Sequence, residues 1–96
     1  MNEYRNSSEQ LTIDFYSVEA SMYGRITQAV VAKFDLQPVS NKTTSLDEVF
    51  QDFKSSNDVV SLEWNIWFGY NVNAKIKSAE PLARKIASYI SNKFNL

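Results

Sequence analysis

Two runs of alternating apolar and polar residues, separated by only a few positions, constrain the fold of this chain more than any other feature. They span residues 59–66 and 70–77, and in each run every second residue is apolar. A period of two indicates β-strands with one buried face. A parallel crossover needs a dozen residues or more, so these strands must pair antiparallel as a hairpin. The pattern places the turn either at 65–66 or around 68–69, and that choice decides where Trp67 projects.

Other segments are assigned from their own periodicity. Residues 11–18 alternate and predict a further strand, whereas 19–34 show the spacing of an amphipathic helix. A Ser-Leu-Asp-Glu capping box followed by helical spacing predicts a short helix over 45–54. A serine cap and an early proline mark the start of a last helix over 78–94. Residues 37–44 are expected to form a loop with a short edge strand, because their proline cannot donate to a central ladder.

The predicted element order is therefore β-α-(β)-α-β-β-α. Residues 1–10 are polar and are expected to form a flexible N-terminal segment, which leaves 11–96 as a single domain. Three amphipathic helices and a mainly antiparallel sheet of three or four strands are most economically packed in two layers. The sequence predicts an α+β sandwich with the helices on one face of the sheet.

The composition narrows the chemistry. The 96 residues include no histidine and no cysteine, which removes disulfides, thiol nucleophiles, cysteine metal ligands and a histidine base for serine. Ten basic and eleven acidic residues lack the basic excess of a nucleic-acid binder or of a protein that binds anionic membranes. The two glycines are too far apart to form a phosphate-binding loop. We therefore expect no enzymatic activity, no cofactor and no bound metal ion.

The same reading predicts a cytoplasmic protein. The first ten residues lack the apolar core of a signal peptide, and no apolar run approaches the roughly 20 residues of a membrane span. A chain without cysteine is compatible with a reducing compartment.

Helices on one face would leave the other face of the sheet in contact with solvent. That face and the hairpin combine aromatic, acidic and amide side chains, a mixture typical of protein interfaces. The candidate partner-binding residues are Asp14, Tyr16, Glu63, Asn65, Trp67, Asn71 and Asn73. An ordinary solvated sheet face with aromatic cross-strand pairs would explain the same residues.

The sequence therefore favours a noncatalytic protein that binds and blocks another protein. Its slight acidity suits a basic toxin domain as partner, as for a bacterial immunity protein. A regulatory domain with a small ligand near Trp64, Tyr70 and Tyr89 is the alternative. A small enzyme that uses Asp14 and Glu63 as acid and base ranks third. Whether the chain forms homo-oligomers is left open.

Overall fold

The computed structural model of the protein describes all 96 residues and shows an α+β fold with one seven-stranded antiparallel sheet and two α-helices. The strands are β1 (Asn2–Arg5), β2 (Leu11–Phe15), β3 (Gln37–Pro38), β4 (Thr43–Thr44), β5 (Glu48–Ser55), β6 (Asp58–Asn65) and β7 (Gly69–Ala74). The helices are α1 (Tyr23–Phe34) and α2 (Glu80–Phe94), each preceded by a short 3-10 turn. The strands lie in the order β1-β2-β7-β6-β5-β3, and β4 also pairs with β5.

The core lies between the sheet and the two helices. Nineteen buried apolar side chains form it, and Ile26 of α1 and Ile86 of α2 are among the fully buried ones. They pack against alternate residues of the central strands, such as Leu62 and Val72. Burying each such aliphatic side chain contributes about 1.5–3 kcal/mol. The alternation of the strands therefore positions both helices on one face.

The chain contains two units of the same architecture, each a β-hairpin followed by a helix: β1-β2-α1 and β6-β7-α2. Their helices end in the similar sequences Lys33-Phe34-Asp35-Leu36 and Lys93-Phe94-Asn95-Leu96. Asp35 and Asn95 both adopt the left-handed conformation, with φ of 51° and 57°. In each case the N–H of the following leucine reaches back to a carbonyl five residues earlier, at 3.0 Å. Asp and Asn tolerate this conformation better than most residues, so both helices end by the same device.

The predicted helix over 45–54 is wrong, because β5 occupies most of this stretch and pairs along its whole length with β6. Val49 and Phe53 are four residues apart, a spacing that fits one face of a helix and equally one face of a strand. Phe50 decides between the two, since it lies on the opposite face of β5. The expected capping box is instead a turn in which the Ser45 N–H donates to the carbonyl of Glu48 at 2.8 Å.

The N-terminal ten residues, expected to be flexible, contain β1. This strand pairs with β2 through four residue pairs. Glu3 and Arg5 lie on the face of β1 that is on the helix side of the sheet. Glu3 forms an ion pair with Arg84 and Arg5 forms one with Glu80, both on α2. The sheet therefore has seven strands rather than three or four, and the element order is β-β-α-β-β-β-β-β-α.

Candidate binding face

The face of the sheet opposite the helices is here called the open face. The register of β1, β2, β5, β6 and β7 places on it fourteen residues, most of them polar. They are Asn2, Tyr4, Thr12, Asp14, Glu48, Phe50, Asp52, Lys54, Val59, Ser61, Glu63, Asn65, Asn71 and Asn73. The alternation that buries apolar residues under the helices thus directs a largely polar set to the other side.

The centre of the open face is withdrawn from solvent although no helix packs on it. Thr12, Asn71 and Asn73 are buried there. They line a pocket of about 200 Å³ together with the rings of Tyr4 and Phe68. The two ring centroids are 6.1 Å apart. The aromatic side chains therefore form a partial rim around a recessed polar floor.

Two carboxylates of the open face have no cation bound to them: Glu63, which lines this pocket, and Asp14, which lies outside it beside Asn71. Asp14 is only 3% exposed and forms no ion pair, and Glu63 is half-buried and also forms none. Burial raises the pKa of Asp14, and the nearby N-terminal ammonium only partly opposes this. Burial raises the pKa of Glu63 as well; the Ser61 hydroxyl and the charge of Lys75 partly oppose this, and the like charges of Glu48 and Asp52 add to it. Dehydrated, unpaired carboxylates cost stability, so folding alone does not explain them.

One further polar group is left unsatisfied on this face. The Ser61 hydroxyl is buried, with the residue 1% exposed, and makes no hydrogen bond of regular geometry, although it lies near enough to Glu63 to lower the pKa of that carboxyl. Ser61 lies directly across from Asn73 in the ladder. Buried polar atoms are almost always paired in folded proteins, so this exception marks the same region as the two carboxylates.

The hairpin turn between β6 and β7 spans residues 66–68. The Asn65 side-chain Oδ1 accepts the N–H groups of Trp67 at 3.0 Å and Phe68 at 2.8 Å, which fixes the turn. The Ile66 N–H donates to the Asp47 carbonyl, so the loop before β5 lies alongside. Four large apolar side chains, Leu46, Ile66, Trp67 and Phe68, are exposed there and are here called the apolar tip. Contiguous exposed apolar groups of this kind mark interaction surfaces.

The seven sequence-predicted candidate residues occupy two different environments. Five of them, Asp14, Glu63, Asn65, Asn71 and Asn73, lie on the open face. Tyr16 and Trp67 lie just beyond the ends of β2 and β6, where they are 82% and 65% exposed. Sequence reasoning missed Tyr4 and Phe50 because β1 and β5 were not predicted as strands.

The side chains expected to surround a small ligand do not share a cavity. Tyr70 is fully buried and its hydroxyl lies 2.8 Å from Thr27 Oγ1. Trp64 Nε1 donates to the Val18 carbonyl at 2.8 Å, and Tyr89 packs edge-on against Phe34. These residues fill the space between sheet and helices.

The strands that carry Asp14 and Glu63 do not adjoin. Asp14 pairs with Asn71 of β7, and Asn71 pairs with Glu63 on its other side. Two strand spacings separate the acids, about 9–10 Å between backbones. They flank Asn71 rather than contacting each other.

In comparisons with protein-family models, curated proteins and solved structures, nothing matches this chain. Neither of its helices has the length and apolar character needed to cross a membrane. No three acidic side chains come close enough together to hold a metal ion.

The raised pKa of Glu63 predicts a pH-dependent stability. The folded protein holds this proton more tightly than the unfolded chain, so the free energy of unfolding falls as pH rises from about 4.5 through the folded-state pKa. Glu63→Gln should therefore stabilise the protein near pH 7 by about 0.5–2 kcal/mol, and this gain should vanish near pH 4. Urea unfolding of both proteins between pH 4 and 8 measures the difference.

The exposed residue Glu19 supplies the matched control. Glu19→Gln should change stability by no more than about 0.5 kcal/mol at any of these pH values. A loss of stability in Glu63→Gln at pH 7, or a gain that persists unchanged at pH 4, would contradict the assignment of Glu63 as a dehydrated carboxylate.

Proposed function

We propose that this protein binds another protein without catalysing a reaction, and that the open face and the apolar tip together form its docking surface. One observation carries the proposal. The open-face acids Asp14, Glu48, Asp52 and Glu63 form no ion pair within the protein.

Acidic residues on the helix-covered side of the sheet, near the edge strand β1, differ from those of the open face. There, Glu3 and Glu80 are each paired with an arginine. Acidic groups left without an internal cation on one face are available to a cation from outside.

The charge of the open face favours a basic partner. Four carboxylates are accompanied by three cations: Lys54 within the sheet, Lys75, which follows β7 and whose charge acts on Glu63, and the N-terminal ammonium near Asp14. A local excess of negative charge speeds encounter with a positively charged surface and disfavours acidic partners. On the open face this excess is one negative charge, so the position of the carboxylates matters more than the net charge of the face.

The apolar tip supplies the groups that would anchor such a complex. Trp67 and Leu46 are among its exposed side chains, and Phe68 connects it to the pocket on the open face. Interfaces derive most of their affinity from a few aromatic anchors surrounded by polar contacts. A single partner surface could therefore cover the tip and the acidic centre together.

The concrete form of the proposal is an immunity protein that covers the basic active site of a nuclease toxin. Such an active site presents lysine and arginine side chains to nucleic-acid phosphates, which is the charge that the open face complements. A chain without histidine or cysteine can perform this role because occlusion needs no reactive group.

A charge reversal tests the proposed function. Binding would be measured by interferometry against basic nuclease domains from the same genome, beginning with any encoded beside this protein. Asp52→Lys, on β5 towards one edge of the open face, should weaken binding at least ten-fold, because it places a cation against a basic partner. Glu19→Lys carries the same change in charge just before α1, outside the sheet, and should leave the affinity within about two-fold.

Equal losses in the two variants would show that only net charge matters and would contradict the docking surface. Unchanged binding by Asp52→Lys would do the same. Circular dichroism of each variant establishes that a loss of binding is not a loss of fold.

A further inference from the structure

The polar side chains of the pocket on the open face leave hydrogen-bond acceptors without donors. Thr12 Oγ1 donates its only proton to the Gln10 carbonyl at 3.3 Å. It can therefore only accept from Asn73 Nδ2, which lies 2.8 Å away. This fixes the orientation of the Asn73 amide and leaves its Oδ1 as an unused acceptor.

The side-chain amide of Asn71 also has its nitrogen engaged and its oxygen free. Asn71 Nδ2 donates to the Gly69 carbonyl at 3.4 Å, and no donor of the protein forms a hydrogen bond to its Oδ1. Asn65 differs, because its Oδ1 already accepts two backbone N–H groups of the turn. The floor of the pocket thus offers amide oxygens that have no donor within the protein.

Negative charge surrounds these acceptors. Glu63 lines the pocket, and Asp14, which is 3% exposed, lies outside the pocket lining beside Asn71 on the neighbouring strand. Burial raises the pKa of the Tyr4 phenol, and the charges of Asp14 and Glu63 raise it further. The phenol of Tyr4 therefore lies within the electrostatic reach of both carboxylates.

Aromatic rings form the remaining wall. Tyr4 and Phe68 both line the pocket, with ring centroids 6.1 Å apart. A cation within about 6 Å of an aromatic centroid is attracted to the ring face, and a planar guanidinium can also stack on it. The volume of about 200 Å³ is sufficient for the end of one arginine side chain.

We propose that this pocket binds a guanidinium group, held by Glu63 and the free amide oxygens of Asn71 and Asn73 beside the rings of Tyr4 and Phe68. Its source is an arginine side chain of the protein partner, and this part of the proposal rests on the proposed function. A guanidinium presents five N–H donors and a positive charge, which matches a site of unused acceptors and unpaired carboxylates.

The test uses small probes and needs no identified partner. The ¹⁵N-labelled protein would be titrated with N-acetyl-arginine methylamide, with the side-chain amide signals of Asn71 and Asn73 as the readout. The same compound made from citrulline is the control ligand, since citrulline has nearly the same shape but no charge. We expect millimolar binding of the arginine probe and at least ten-fold weaker binding of the citrulline probe.

Matched variants locate the site. Glu63→Gln, which keeps the side-chain size, should lower the affinity for the arginine probe at least ten-fold. Glu48→Gln removes an open-face carboxylate that does not line the pocket and should change the affinity by no more than about three-fold. Well-dispersed spectra establish that both variants are folded. Equal affinity for arginine and citrulline probes, or unchanged binding by Glu63→Gln, would overturn the site.

The source of the guanidinium is tested separately. Agmatine is a free small molecule that carries the same group, and we expect it to bind within about ten-fold of the capped arginine. Binding that is a hundred-fold tighter for agmatine would overturn the assignment to a partner's side chain.

Failure of this inference is distinguishable from failure of the proposed function. If the arginine probe does not bind while Asp52→Lys still weakens binding of the partner at least ten-fold, the guanidinium pocket is contradicted but the docking surface is not. If the probe binds but Asp52→Lys leaves the partner's affinity unchanged, the pocket stands without the docking surface.

Discussion

Replacement of Trp64 by alanine should lower the free energy of unfolding by about 3–5 kcal/mol, whereas Trp67→Ala should change it by less than about 0.5 kcal/mol. Trp64 lies on the helix-covered face of β6, packs against the core and donates its indole N–H to the Val18 carbonyl at 2.8 Å. Truncation would leave a cavity and an unpaired carbonyl. Trp67 is 65% exposed in the turn and is held there through its backbone N–H.

This pair of variants compares the two tryptophans of the chain directly. Urea unfolding followed by far-ultraviolet circular dichroism measures both variants without depending on tryptophan fluorescence. A cost for Trp67→Ala as large as that for Trp64→Ala would show that the turn packs into the core and would remove the apolar tip from the proposed surface.

The second large effect is expected at Gly69, the first residue of β7. Gly69 has φ of +70°, and a Cβ atom there would lie 2.4 Å from the Phe15 carbonyl oxygen and 2.7 Å from the Tyr16 Cα. Both obstacles are backbone atoms, so no side-chain rotation can relieve them. Gly69→Ala should therefore cost about 3 kcal/mol or more, from the unfavourable φ and the forced separation of β2 and β7.

The other glycine is the natural control. Gly24 lies within α1, and nothing would lie within 4 Å of an added Cβ. Gly24→Ala should stabilise the protein by about 0.5 kcal/mol through helix propensity. Thermal unfolding of both variants measures the difference, and a Gly69→Ala protein as stable as the wild type would contradict the close approach of β2.

Long periodic segments could be predicted from sequence, and the elements that were missed had weak or ambiguous patterns. The hairpin of β6 and β7, the strand β2 and both helices follow from apolar periodicity. For β5, the spacing of Val49 and Phe53 fits two structures, and only pairing with β6 decides between them. β1 is short and polar, and its ion pairs join residues 75 and 81 positions apart.

The candidate site was predictable only in part for the same reason. The alternation of residues along β2, β6 and β7 is sufficient to predict that Asp14, Glu63 and Asn71 share one face of the sheet. Tyr4 could not be assigned there without β1. Phe68 could not be assigned without the position of the turn, which depends on the side chain of Asn65 and on close packing at Gly69.

We propose that the polar centre of the open face serves binding at a cost to the stability of the fold. In most of a protein, the local preferences, packing and charges of the residues all favour the same fold. Residues that do not favour the fold are concentrated at functional sites. A nearly buried carboxylate without a partner is such a departure, and Asp14 is the clearest case.

Urea unfolding of Asp14→Asn at pH 7 tests this claim most directly. The substitution keeps the side-chain shape and removes the charge that burial disfavours, and the raised pKa of Asp14 makes the charged form the costly one. The expected result is a free energy of unfolding about 0.5–2 kcal/mol above that of the wild type. A decrease of about 1 kcal/mol or more would show that Asp14 stabilises the fold, and would contradict a face kept for recognition.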